Sequence, residues 1–351
     1  MSNTNVYLVT GANGFIASFL VKRLVEEGAH VKATVRRQTS GDRVKQSISP
    51  DAKGKLEILL TPDITVKGAF KTALKDVTHV FHTASPVPGP GMTDTKKHFL
   101  DPARAGTLSL LQDARETPTV QKVVYTSSSA AILDLSRIHT GNTHTEKDWN
   151  PITYEHSLEI GEKLKSSNPA EVQQACFGVY TASKRVAEEA AWDFIEQSKS
   201  SFAFVAVHPV VVIGKPTLPC VGIEGSNAFL WNTLTTRPTQ DLAGPSAFVD
   251  LADTVEGHIQ AMNKDEANGG RFLLTAGSPL HHEIIRWAKD RQASLPFDKV
   301  EEPEDAEDVR SKMTKFDNTQ STKVLGIKYR SVKESVEAFA DWVVESGVAK
   351  P

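Results

Sequence analysis

The stretch "YTASK", residues 180–184, sets a phenol and an ammonium four positions apart, Tyr180 and Lys184. On a helix that spacing puts both on one face. A free phenol has a pKa of about 10, and a neighbouring ammonium favours its anion, which brings the pair within reach of proton exchange near neutral pH. A second reactive stretch is "VYTSSSAAI", 124–132, where Thr126, Ser127, Ser128 and Ser129 close an apolar run with no turn residue among them. A serine hydroxyl placed there can donate to a carbonyl oxygen as that oxygen gains negative charge. It can equally serve local backbone groups, the role expected of at least one of Ser127 and Ser129. Spacing alone leaves open which serine acts.

A third stretch, "VTGANGFIA" (9–17), carries Gly11, Asn13, Gly14, Phe15 and Ile16 between an apolar run and an amphipathic one. Gly11 and Gly14 allow a tight turn and close approach of a pyrophosphate, and the helix that follows aims its amides at the phosphates. Ala17 holds the third, small position of this dinucleotide fingerprint. The next strand ends in "VRRQTSGDR". Where an acid usually meets the ribose 2′-hydroxyl of NAD, this chain offers Arg36 and Arg37, with Arg43 a few residues on. Guanidinium groups hold a 2′-phosphate in a bidentate, charge-assisted way, so the expected cofactor is NADP(H). Asp63 and Ile64 fall at the expected adenine edge. Thr83 and Ala84 end the fourth strand beneath the cofactor, and Thr126 ends the fifth. Lys184 can also bond the nicotinamide ribose. Ser85, Ile132, Leu133, Phe177, Phe229 and Trp231 are candidate substrate-pocket residues, and segment 215–232 the expected source of specificity.

These groups need strands that deliver them to one edge. Through residue 210 the chain alternates: strands at 6–10, 31–35, 56–60, 79–84, 122–126 and 202–209, helices at 15–28, 69–76, 96–116 and 178–197. That alternation predicts an α/β fold, a Rossmann-type doubly wound parallel sheet covered on both faces. After Pro209 the pattern loosens. "KPTLPCVGIEG" (215–225) reads as loop, 227–234, 250–262, 281–293 and 331–346 as helices, and 271–276 as a strand. The expected division is a dinucleotide-binding domain over 1–210, to which some later segments return, and a smaller, mainly substrate-binding lobe over 211–351. The acidic run 301–308 is expected to be solvated surface.

With 39% hydrophobic and 24% charged residues the 351-residue chain can bury a sizeable core, and a net charge of −3 gives no footprint for nucleic acid or an anionic membrane. Two cysteines, Cys176 and Cys220, make neither a disulfide framework nor a metal site. No apolar run approaches a spanning length, so a soluble cytoplasmic protein, monomer or homodimer, is expected.

The segments "VTGANGFIASFLVKRLVEEGAHVKATVR", "VFHTASPV", "VVYTSSSAA", "YTASKRVAEEAAWDF", "HPVVVIG", "FVDLADTVEGHIQAM" and "GRFLLTAG" together span nearly the whole chain. In them it resembles the extended short-chain dehydrogenases/reductases, in the branch of plant dihydroflavonol and cinnamoyl-type reductases and fungal NADPH-dependent aldehyde and ketone reductases. "DWN" (148–150) is similar to the fungal members. The resemblance implies that Ser128 is the catalytic serine, with Tyr180 and Lys184. It implies that Pro209 and Val211 hold the nicotinamide by backbone contacts, that Arg36 is the 2′-phosphate ligand, and that Arg43 sits where plant members carry a second basic residue. Leu133 stands where plant flavonoid reductases carry a polar residue, which argues against a flavonoid substrate. The expected reaction is NADPH-dependent reduction of aldehydes and ketones, keto esters and aryl ketones included. The rivals are a nucleotide-sugar epimerase or dehydratase on the same fold and a non-catalytic NADP sensor. Arg36 and Arg37 speak against the first. The Ser128–Tyr180–Lys184 set speaks against the second.

Overall fold

The computed structural model describes residues 5–85, 91–220, 222–235, 247–297 and 304–348. In chain order the elements are β1 (Val6–Thr10), α1 (Phe15–Glu26), β2 (His30–Val35), α2 (Gln38–Gln46), β3 (Lys55–Leu60), α3 (Lys71–Leu74), β4 (His79–His82) and α4 (Asp101–Arg115). Then follow β5 (Lys122–Thr126), β6 (Thr143–His144), α5 (Tyr154–Gly161), α6 (Pro169–Ser198), β7 (Ala203–Pro209), β8 (Val211–Ile213), α7 (Gly225–Thr235) and β9 (Phe248–Asp250). The last are α8 (Leu251–Asn263), β10 (Arg271–Leu274), α9 (His281–Arg291), α10 (Ala306–Lys312), β11 (Lys315–Phe316) and α11 (Val332–Ser346).

Seven strands form one sheet in the order β10-β7-β5-β4-β1-β2-β3. Every neighbouring pair is parallel. The chain winds outward in opposite directions from β1 and from β4, so the crevice of a doubly wound sheet lies at their carboxyl ends. Both faces are covered, which is why the strands read as nearly continuous apolar runs. Adjacent residues of β1 serve opposite faces: Leu8 packs with Phe70, Leu110 and Phe204, and Val9 belongs with Leu20, Phe81 and Phe272. A third core joins Ile213, Leu230, Phe248, Ile284, Phe339 and Trp342 from β8, α7, β9, α9 and α11. The large sheet takes its last strand, β10, from beyond residue 211.

Several boundaries differ from the sequence expectation. Helix α6 starts at Pro169, nine residues early, because Asn168 caps the Ala170 amide at 3.0 Å and proline suits the first helical position. The helix expected at 227–234 is α7, which begins two residues earlier, at Gly225. Helices α2 and α5 form in polar stretches without an apolar stripe long enough to announce them. Of the acidic run, 301–303 lie outside the described residues and 306–308 open α10. Among the described residues no helix is long and apolar enough to cross a membrane.

Candidate active site

The switch point is built by β1 gripping β4. Gly11 has φ +65°, and a Cβ there would lie 3.0 Å from the Ala84 Cα, so only glycine lets the turn after β1 seat on the end of β4. Thr10 Oγ1 accepts from the amides of Thr83 and Ala84 at 3.1 and 3.0 Å. Its own proton goes to His82 Nδ1 at 2.8 Å. Burial, with the Lys184 charge nearby, lowers the pKa of His82 to about 3, so its ring is neutral and can accept. Gly14 caps α1 in extended geometry. Among the described residues the amides of Phe15, Ile16 and Ala17 meet no protein acceptor. Those orphan donors, beside an exposed Asn13 and half-buried Phe15 and Ile16, fit a pyrophosphate.

At the end of β2, Arg36 and Arg37 are exposed. Arg43 is exposed and donates to the Pro219 carbonyl, which ties α2 to the segment after β8. Asp63 is an exposed carboxylate accepting from the Thr65 amide and hydroxyl at 2.8 and 2.7 Å. Those bonds, with the Arg36 charge, hold it below the usual carboxylate range. The Ile64 side chain faces Gly106 of α4, where a Cβ would come within 3.0 Å of it.

At the end of β5 the hydroxyls are told apart by where their protons go. His258 Nδ1 lies 2.7 Å from the Thr254 carbonyl, which can only accept, so this nitrogen carries the proton. Burial keeps His258 neutral, its pKa lowered to about 4. Its Nε2 therefore accepts from Thr126 Oγ1 at 2.8 Å. Ser127, also buried, donates to Glu188 Oε2 at 2.6 Å. Ser128 differs. Its Oγ accepts from the Ala130 amide at 3.1 Å, and among the described residues its proton meets no acceptor. Ser128 heads the short turn Ser129–Ala131, which packs against α6. On α6, Lys184 Nζ lies 5.7 Å from the Tyr180 ring centroid and donates to Ser85 Oγ at 3.0 Å. Strand end, turn and helix thus bring Ser128 to the helix that carries Tyr180 and Lys184.

Pro209 ends β7 buried. The Val211 amide donates to the Ala247 carbonyl at 3.1 Å, so the backbone contact expected of Val211 toward a nicotinamide falls to its carbonyl. Ile132 and Leu133 are buried, at 0% and 4% exposure, with Ile132 inside the central core. Phe177 and Phe229 stay open at 43% and 46%. Trp231 is half-buried, its ring 6.0 Å from Phe297. A cavity of about 870 Å³ lies elsewhere, walled by Arg104, Leu108, Tyr154, Arg185 and Glu189 among others. Arg185 and Glu189 point about 140° around the helix from Tyr180 and Lys184, so this cavity is on another face of α6.

Sequence reasoning missed Glu188, His208, His258 and Asn150. Glu188 continues the Tyr180–Lys184 spacing by one more turn, the one signal available for it. Asn150, within "DWN", is fully buried. Its amide donates to Ala131 O at 2.8 Å and its side chain to Ala130 O at 3.0 Å, which staples the Ser128 turn from outside.

A family model described as the NAD dependent epimerase/dehydratase family matches residues 7–157. A putative NADPH-dependent methylglyoxal reductase of Candida albicans is 34% identical, with 96% of this chain and 98% of that protein covered. A ketoreductase of Aspergillus niger is 32% identical, covering 94% of each. The crystal structure of Gre2 in complex with NADPH from Candida albicans superposes with TM-score 0.84 and 29% identity over 97% of this chain and 99% of that one. The switch point, the turn after β1 and these end-to-end likenesses agree: the chain belongs to the NAD-dependent epimerase/dehydratase family, the extended short-chain dehydrogenases/reductases.

Proposed function

We propose that this protein is an NADPH-dependent carbonyl reductase that converts aldehydes and ketones to alcohols, with Ser128, Tyr180 and Lys184 as its catalytic residues. The single observation that carries the catalytic assignment is the Ser128 turn packed on the helix bearing Tyr180 and Lys184, at the carboxyl end of β5. The cofactor fits the orphan amides of α1, the Gly11–Ala84 seat and the exposed Arg36. When bound, NADPH supplies the hydride that reaches the carbonyl carbon. Ser128, its oxygen already accepting from Ala130, hydrogen-bonds the carbonyl oxygen without giving up its proton and stabilises the charge that develops there. Tyr180 gives that oxygen its proton, and Lys184 balances the charge left on the phenol oxygen. Names of the Candida and Aspergillus relatives support small dicarbonyl and ketone substrates. We assign substrate recognition to the lobe over 211–351, with Phe177 on α6 and Phe229 on α7 as open apolar contacts, and place the protein in the cytoplasm.

The test is NADPH oxidation by purified protein against methylglyoxal, other aldehydes, keto esters and aryl ketones, repeated with NADH. Turnover with at least one class and a preference for NADPH is expected. Protein that carries tightly bound NAD and oxidises no NADPH with any carbonyl compound would point to a nucleotide-sugar epimerase instead.

A further inference from the structure

Glu188 lies one helical turn after Lys184 and two after Tyr180, on the same face of α6. Its carboxylate is wholly buried and receives four hydrogen bonds. Ser127 Oγ and His208 Nε2 donate to Oε2 at 2.6 and 2.7 Å. Arg271 Nε and Trp192 Nε1 donate to Oε1 at 2.7 and 3.1 Å. The donors come from the ends of β5 and β7, the start of β10 and the next turn of α6. A buried carboxylate persists only when it is paired and fully bonded, so these elements are fixed relative to one another. Burial pushes the Glu188 carboxyl up, but His208 and Arg271 outweigh it and hold the group at about 2. An ionised carboxylate only accepts, so Ser127 must point its proton inward.

The same arginine controls the outer grip on the turn. Arg271 Nη1 donates to the carbonyls of Glu146 and Asp148 at 2.6 and 2.8 Å, and its guanidinium lies 3.9 Å over the Trp149 ring. That segment delivers Asn150, which staples Ala130 and Ala131. We propose that Glu188 is a positioning residue for carbonyl reduction: by fixing Ser127 inward and anchoring Arg271, it sets the turn that aims the Ser128 hydroxyl into the crevice. The inference rests on the reading of Ser128 as the donor to the carbonyl oxygen.

Steady-state kinetics, NADPH affinity and melting temperature of Ser127→Ala, Ser127→Thr, Glu188→Gln, the Ser127→Ala/Glu188→Gln double variant and Ser128→Ala test it. A small misplacement of a reacting group can cost about 100-fold, so Glu188→Gln should lower kcat by about that factor and Ser127→Ala by about 10-fold. KM and NADPH affinity should stay within about 2-fold, because only transition-state contacts are disturbed. Ser127→Thr, which keeps the hydroxyl, should recover most of the rate. The double variant should be no slower than Glu188→Gln, since the two residues act as one unit. Lowered melting temperature with unchanged kcat, or losses that multiply, would overturn the proposal. Should Glu188→Gln fail to fold, Ser127→Ala cuts the same bond without disturbing the buried charge, and wild-type kcat there would overturn it alone. If Ser128→Ala is inactive while the Ser127 and Glu188 variants turn over normally, this proposal falls and the proposed mechanism stands. A near-normal Ser128→Ala would remove the mechanism itself.

Discussion

At the end of β5, Thr126 and Ser127 give their protons to buried acceptors and Ser128 sits on a turn held from two sides. At the end of β2, Arg36 and Arg37 stand exposed, their guanidinium groups without a hydrogen-bond partner among the described residues. The contrast follows from what each end has to do. A transition-state oxygen gains charge for an instant, so its donors act only if already aimed. A phosphate is a permanent charge, and a flexible guanidinium can close on it as it arrives. One end is organised by the protein; the other waits to be organised by its ligand.

Tyr180→Phe should strike the pre-built end hardest. Loss of a general acid costs about 100- to 10,000-fold, and kcat should fall within that range while NADPH affinity stays nearly intact. Stopped-flow NADPH oxidation checks the rate, and near-normal turnover would remove Tyr180 as the acid. Ser128→Ala should follow at about 100- to 1,000-fold, the cost of one oxyanion donor, and should far exceed Ser127→Ala in the same assay. The reverse order would mean that the structure distinguishes the wrong hydroxyl.

Arg36→Ala breaks the other end. A charge-assisted bond contributes about 1.5–3 kcal/mol, so NADPH affinity should fall roughly 10- to 100-fold, NADH affinity should hardly move, and kcat at saturation should persist. Titration with both cofactors reads this, and equal losses would refute the phosphate role. Acid should separate the ends more gently. His82 and His258, held at about 3 and about 4, are neutral in the fold, so their contribution is complete above their ordinary pKa of 6.5 and is lost as pH falls from there toward those values. Glu188, held at about 2, loses its contribution only below its ordinary 4.5. Melting temperature should therefore fall between about pH 6.5 and 5, where each histidine costs up to about 1.4 kcal/mol per pH unit. Arg36→Ala should show the same fall, and a flat profile would contradict neutral buried histidines.

How far these ends could be read beforehand depends on the distance between partners. The turn after β1 is local: glycine, strand and helix stand within a dozen residues, and the doubly wound sheet followed from their repetition. Tyr180 and Lys184 share one helix face, so their spacing carried their relation. Ser127 and Glu188 are separated by 61 residues and Arg271 and Glu188 by 83, and no spacing rule links them. Ile132 and Leu133 show a different limit. A pocket wall and a core want the same apolar side chains, so composition alone could not tell that Ile132 joins the central core and that Leu133 beside it is buried. Arg43 shows a third: its bond to the Pro219 carbonyl spans 176 positions, and only the fold brings the two together.

The most direct test is a crystal structure of the NADPH complex. The account expects Ser127 still bonded to Glu188 and the turn at 128–131 placed as here, its Ser128 hydroxyl beside the nicotinamide, while Arg36 has swung onto the 2′-phosphate. A complex in which Ser127 has left Glu188 to face the nicotinamide, or in which Tyr180 points away from that ring, would contradict it.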